Sequence, residues 1–291
     1  DTLIGPSAKT VWRITDVNAG RLSEGETTLL DFSGIESLTG AATDRDVFIV
    51  EQDGSIGGTI AGSAAGWAGL LVQADTDDSY TLVNPVAGGG SQSITLHGKQ
   101  VAFVGLNPLV QQASAAAATF RAGDVAGGFA LTDGAAGMLR LSNLNGQFYD
   151  VASQAIVTDL DFATPTATLS VLLGDADTGI ILDTLTSPPA IDIRGGSGLN
   201  ALYADDVAHT WTISGANAGS VGGYGAAVTF SGIGTVVGGA ADDTFVFTGS
   251  SARMQGVDGG SGGTDTLDYG GVNVPVTLTL GVGNVNIDAV I

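Results

Sequence analysis

The chain has no cysteine, two methionines, two histidines and seven prolines in 291 residues. It is almost as short of two common charged residues: of its 30 acids 26 are aspartate and only four glutamate, and lysine occurs twice. Each shortage excludes something. Without cysteine there is no disulfide framework, no thiolate nucleophile and no sulfur-ligated metal, and two histidines 112 positions apart, His97 and His209, make a poor zinc site. Without glutamate and lysine the usual exposed faces of helices cannot be built. Nine basic residues leave a net charge of −21, and so few cations cannot release the counterions of a phosphate backbone, which argues against nucleic acid as a partner. No stretch is long and apolar enough to insert in a bilayer as a helix. No leader opens the sequence. It starts DTLIG, in mid-pattern, and so reads as a piece cut from something longer.

What is abundant is glycine, 46 residues, about twice average usage. There is no Gly-X-Y period, so collagen is excluded. Glycine and aspartate make turns, while the valine, threonine, isoleucine and aromatic residues between them favour strands. VTF, FVF, AIDI, LSVLL and GIIL are apolar runs of three to five residues bounded by Gly, Asp or Pro. The class is all-β. A parallel β-solenoid is expected, elongated, with circuits of about 20–25 residues stacked about 4.8 Å apart, because Gly-Gly corners keep returning after short strands. Tandem β-sandwich domains are the alternative.

Self-comparison carries the strongest signal. Leu3, Trp12, Ile14, Asn18 and Gly20 return 199 places later as Leu202, Trp211, Ile213, Asn217 and Gly219. DFSGIESLTGAATDRDVFIV, from Asp31, then corresponds to TFSGIGTVVGGAADDTFVF, from Thr229, and the offset slips to 198 and 197. Residues 1–95 and 196–291 are read as two copies of one β-solenoid unit. Residues 96–195 are read as a distinct β-rich unit, its alanine-rich run QQASAAAATFRAG (111–123) expected to cross the surface as a loop, with a helix as the alternative.

The corners are where chemistry could reside. GGSGLNALY (195–203), GGAADDTFV (238–246) and GGSGGTDTL (259–267) approximate the calcium nonapeptide G-G-x-G-x-D-x-U-x, in which U is apolar. The first has Asn200 for the Asp, the second has Ala241 for a glycine and carries Asp243, and the third has Asp265 after one extra residue. LLGDADTGII (172–181) is a shortened relative with Asp175 and Asp177. Calcium takes six to eight oxygens, and glycine lets a backbone turn its carbonyls toward such an ion.

These corners resemble repeats-in-toxin calcium motifs. The frame around them, TWTISGANAGSV…FSGI…GGAADDTFVF…GVDGGSGGTDTLDYGG, resembles units repeated in very large secreted and surface proteins of bacteria, often adhesins. The resemblance spans most of residues 1–60 and 190–291, and 98–190 more loosely. It implies export to the cell surface, neighbouring repeats of the same long chain as partners, and calcium at some corners. The metal candidates are Asp46, Asp175, Asp177, Asp242, Asp243, Asp258, Asp265 and Asp268. In copy one Asp46 matches Asp243, but Ala68 stands for Asp265 and Ala61 for Asp258, so copy two is expected to lean more on divalent cations.

Other signals lead nowhere. GGSGG (259–263) matches a nucleophile elbow by letter only, since no helix follows it. The pairs Asp77-Asp78, Asp205-Asp206 and Asp242-Asp243 could serve acid–base work on a glycan, but a cleft for an acidic polysaccharide needs more cations than this chain owns. Trp12 and Trp211 read as packing residues, with sugar stacking as the alternative. The expectation is therefore a non-enzyme: a structural spacer or adhesive stalk segment of a large extracellular bacterial protein. The alternatives are a module binding a cell-surface glycan or another surface protein, and the non-catalytic region of a secreted carbohydrate-active enzyme.

Overall fold

The computed structural model describes residues 1–41, 46–51, 53–62, 68–72, 79–83, 92–96, 99–111, 115–123, 126–144, 148–150, 155–157, 159–276 and 289–290. Every regular element among them is a strand, most sheet pairings are parallel, and no helix occurs among the described residues. The chain is all-β, as its shortage of helix formers demands. It divides into two compact units, Asp1–Arg121 with Gln147–Ala167 and Ala122–Gly146 with Thr168–Ile291. The stretch 96–195 is thus shared between them.

The first unit opens with β1 (Thr2–Ile4), β2 (Val11–Asp16), β3 (Ala19–Glu24), β4 (Thr27–Ser33), β5 (Ser37–Thr39), β6 (Asp46–Val50), β7 (Thr59–Ala61) and β8 (Ala68–Val72). It continues with β9 (Ser79–Val83), β10 (Gln92–Leu96), β11 (Lys99–Val104), β12 (Asn107–Gln111) and β13 (Ala117–Gly123). Apart from β9 and β13, these strands fall in two sheets, one ordered β1-β5-β7-β11-β10 and the other β12-β8-β6-β2-β3-β4. Leu38 pairs with Ile60 in the first, while Trp12, Phe48 and Leu70 line up in the second, and all five are buried.

Residues 117–123 of the alanine-rich run are neither loop nor helix. They form β13, which pairs in parallel with β9, and residues 112–114 lie outside the described residues. Ala118, Phe120 and Ala122 alternate inward and are buried, so the run obeys the period of two that a strand requires. Its small side chains mask that alternation in the sequence.

Later strands are β14 (Gly127–Asp133), β15 (Met138–Asn143), β16 (Phe148–Asp150), β17 (Ala155–Val157), β18 (Asp159–Ala163), β19 (Thr168–Leu173), β20 (Thr178–Leu182) and β21 (Ala190–Arg194). The second unit then repeats the opening series as β22 (Ala201–Tyr203), β23 (Thr210–Gly215), β24 (Ala218–Gly222), β25 (Val228–Ser231), β26 (Thr235–Val237), β27 (Thr244–Thr248), β28 (Gly256–Asp258) and β29 (Thr266–Gly271), and ends on β30 (Ala289–Val290). The order β1-β5-β7 recurs as β22-β26-β28, and β8-β6-β2-β3-β4 recurs as β29-β27-β23-β24-β25. Registers agree as well. Trp211, Phe245 and Leu267 line up as Trp12, Phe48 and Leu70 do.

The sequence elements shared by the two halves have specific work in this frame. Trp12 stacks on Phe48 at 5.3 Å and meets Phe32 edge-on at 6.4 Å; Trp211 stacks on Phe245 at 5.7 Å and meets Phe230 edge-on at 6.1 Å. Both indoles are fully buried, so they are core residues and present no face to a sugar. Asn18 and Asn217 turn the hairpins after β2 and β23 with φ of 54° and 53°, in the left-handed region that asparagine tolerates best after glycine. Gly20 and Gly219 lie where a Cβ would stand 2.0 and 2.1 Å from the carbonyl oxygens of Arg13 and Thr212.

Candidate functional site: the buried polar column

Two residues before seven of the large inward apolar residues stands a buried polar one. The pairs are Thr10 and Trp12, Asp46 and Phe48, Thr178 and Ile180, Asn200 and Leu202, His209 and Trp211, Asp243 and Phe245, Asp265 and Leu267. Seven of the nine buried polar residues recorded for the core occupy this one position. The corner acids Asp46, Asp243 and Asp265 are therefore interior residues.

Asp46 and Asp243 hold corresponding places. The Thr10 hydroxyl donates to Asp46 Oδ1 and the Ala41 N–H to Oδ2, at 2.7 Å. The His209 N–H donates to Asp243 Oδ1 at 2.8 Å and the Gly239 N–H to Oδ2 at 3.0 Å. Asp243 in turn donates its own N–H to Asp265 Oδ1, at 2.8 Å across 22 residues. In copy one the last rung is missing, because Ala68 stands there. Burial pushes the Asp46 and Asp243 carboxyls above the usual carboxylate value, and the donated hydrogen bonds offset that only in part. The glycines before the two acids, Gly40 before Asp46 and Gly238-Gly239 before Asp243, follow from this packing. A Cβ at Gly40 would sit 2.5 Å from Asp46 Oδ2, one at Gly238 would sit 2.2 Å from Asp243 Oδ2, and one at Gly239 would meet the Asp205 carbonyl at 1.9 Å.

The other candidate acids lie at the rim of the corners. Asp175, Asp177 and Asp242 each accept an N–H from 22 residues further on, from Ser197, Leu199 and Thr264, all at 2.8 Å. The Ser197 bond lowers the Asp175 carboxyl below its ordinary value. Asp258 and Asp268 close local turns onto the N–H groups of Gly260 and Gly270. The structure thus brings Asp243 and Asp265 together, and leaves the rest as separate rungs or turns. Gly260 and Gly263 allow the corner beneath to approach: a Cβ there would stand 2.0 Å from the Gly239 carbonyl and 2.3 Å from that of Ala241.

These residues do not fit the calcium that the resemblance implies. An ion needs converging oxygens, whereas here N–H donors converge on the carboxylates, and both oxygens of Asp46 and of Asp243 are engaged by donors. No group of three or more His, Asp or Glu side chains placed to hold a metal occurs among the described residues.

The sequence reading missed His209 as part of this column. Its ring is buried, with Nδ1 2.8 Å from the Gly222 carbonyl and Nε2 2.5 Å from Asp205 Oδ1, and it stacks on Tyr224 at 4.6 Å. The Tyr224 hydroxyl donates to the Leu182 carbonyl at 3.2 Å and accepts the Asp205 N–H at 3.3 Å. This clasp ties the loop after β24 to the corner before β23. Copy one has Pro6 and Thr10 at the places of Asp205 and His209. The signal was available: His209 precedes Trp211 by the same two residues as Asp243 precedes Phe245. His97, Asp77 and Asp78 lie outside the described residues. Comparison with known proteins finds no matching family model, no matching curated sequence and no matching solved structure.

Proposed function

We propose that the chain is a stretch of β-solenoid scaffold, a spacer or adhesive stalk segment of a large extracellular bacterial surface protein, and that it performs no catalysis. The observation that carries this reading is the repetition itself. Eight strands recur with the same sheet order and register, and the corner acids spend their oxygens on backbone N–H groups of adjoining circuits. Each circuit meets its neighbours through a ladder and a line of apolar residues, so length can be added without a new fold. Burial of Trp12 and Trp211 removes both described tryptophans from sugar stacking, which disfavours the glycan-binding alternative.

In this reading the carboxylate–amide ladder does the work that calcium does in a repeats-in-toxin corner. The purified chain should melt at the same temperature, within about 1 °C, in calcium and in chelator. Occupied calcium at a hundredfold excess over its dissociation constant would add about 2.7 kcal/mol, worth about 5–10 °C in a domain of this size. The chain should also turn over no polysaccharide or ester and be retained by no glycan on an array. A chelator shift of that size would restore the calcium corners. Turnover abolished by one Asp→Ala change would make the chain an enzyme.

A further inference from the structure

The two copies differ in what covers their leading edges. In copy two the outer side of β22 pairs with β20, Ile180 facing Leu202, and the outer side of β25 pairs with β21, Ile191 facing Val228 and Ile193 facing Phe230. The corresponding strands of copy one, β1 and β4, end their sheets, and no described strand pairs with their outer sides. Leu30, the counterpart of Val228, is 43% exposed where Val228 is 0%, and Leu29 beside it is 44% exposed. Ile4 is 68% exposed where its counterpart Tyr203 is 38%. A seven-residue edge strand carrying exposed leucines and unpaired backbone groups is a template for a further strand.

We propose that the outer edges of β1 and β4 form a docking surface for one more parallel circuit of the kind that β20 and β21 make, carried on the same polypeptide. The proposal rests on the scaffold reading and specifies its recognition chemistry. The incoming strand on β4 carries apolar residues two apart, as Ile191 and Ile193 are, to cover Leu30 and Phe32. Between them it differs from β21. Asp192 accepts a hydrogen bond from the Thr229 hydroxyl at 3.2 Å, but the counterpart of Thr229 is Asp31, which is paired with Arg21 at 2.7 Å. Two carboxylates facing each other across a strand pair repel. The occupant therefore has a neutral or basic residue at that place.

The test extends the full chain at Asp1 with a second copy of residues 122–199 carrying Asp192→Thr. The fusion sets the added strands ahead of β1 and β4 at the spacing, within one residue, by which β20 and β21 precede β22 and β25. Amide hydrogen exchange in Thr27–Ser33 should slow at least tenfold relative to the unextended chain. Leu30→Asp should leave the unextended chain melting within about 2 °C of wild type, since Leu30 is already half in water, and should abolish the protection in the extended one. Unchanged exchange in the extended chain overturns the proposal, as does protection that survives Leu30→Asp. Concentration-dependent association of the unextended chain that slows the same amides would overturn it too, by assigning the edge to a second copy. Failure here, with an intact response to circuit removal inside the chain, would leave the scaffold reading standing.

Discussion

Replacing Asp243 by alanine should cost about 3–5 kcal/mol of folding stability, because it leaves two buried N–H groups, those of His209 and Gly239, without an acceptor at about 1–3 kcal/mol each. Asp243→Asn should cost less, about 1–3 kcal/mol: the amide keeps one acceptor oxygen but turns a second donor toward a donor. The charge itself should not be what stabilises. Burial raises the Asp46 and Asp243 carboxyls, so the folded chain takes up those two protons at a higher pH than the unfolded chain does. Their linkage contribution grows as pH falls through the raised folded values, and is complete below the unfolded value of about 3.9. Asp175 runs the other way. Its hydrogen bond from Ser197 lowers it, so its contribution is present above the unfolded value and is lost as pH falls through the depressed one. From neutrality down to about pH 4 the buried pair therefore adds stability, and relief of self-repulsion at a net charge of −21 acts in the same direction. Denaturant unfolding at intervals between pH 7.5 and 4.5 should show wild-type stability rising, and a flatter rise for the Asp46→Asn/Asp243→Asn variant. A wild type that loses stability over that range, in parallel with the variant, would mean the two carboxylates are held as favourable charges.

Much of this arrangement was legible in the residues. The offset of 199, 198 and then 197 between the halves reappears as strand register: Trp12 and Trp211 take the same partners, Phe48 and Phe245. Repeats show this clearly because every core position is tested twice. The corner acids were found, and calcium was expected at them. Sequence shows that a carboxylate and glycines coincide; it does not show whether carbonyls or N–H groups point at the oxygens, which depends on the backbone of the neighbouring corner. The His209 clasp was obscured because Tyr224 and Asp205 reach it from loops that copy one does not share. Ala117–Gly123 was misread because alanine carries almost no signal of inward or outward placement, so Phe120 alone marked the buried face.

Excising one whole circuit should be tolerated where excising half of one should not. Thr244–Asp265 spans 22 residues and contains β27 and β28. Joining Asp243 to Thr266 brings Leu267 to the place of Phe245, opposite Trp211, since those two residues already share a register position on neighbouring strands. Every remaining strand stays in its own sheet, and Asp243 keeps its bonds to His209 and Gly239. The loss is one set of nearest-neighbour contacts, and in a stacked architecture stability falls by roughly that increment without disturbing distant circuits. Removing only Thr244–Met254 sends β28 into the sheet of β23 and β29 into the sheet of β26. The Gly256–Asp258 strand then lies against Trp211 with Val257 as its one apolar side chain, and Leu267 leaves the line of Trp211 and Phe245 for the opposite sheet. That variant should lose cooperative unfolding of the second unit, with exchange protection gone from β23 to β29, while the whole-circuit excision keeps a single sharp transition at reduced midpoint. Duplicating Thr244–Asp265 should act in the reverse direction, folding with an added circuit and a midpoint at or above that of wild type. If whole-circuit and half-circuit excisions unfold the unit alike, the strands are not interchangeable layers, and the chain is a pair of individually specified β-domains instead of a scaffold built by repetition.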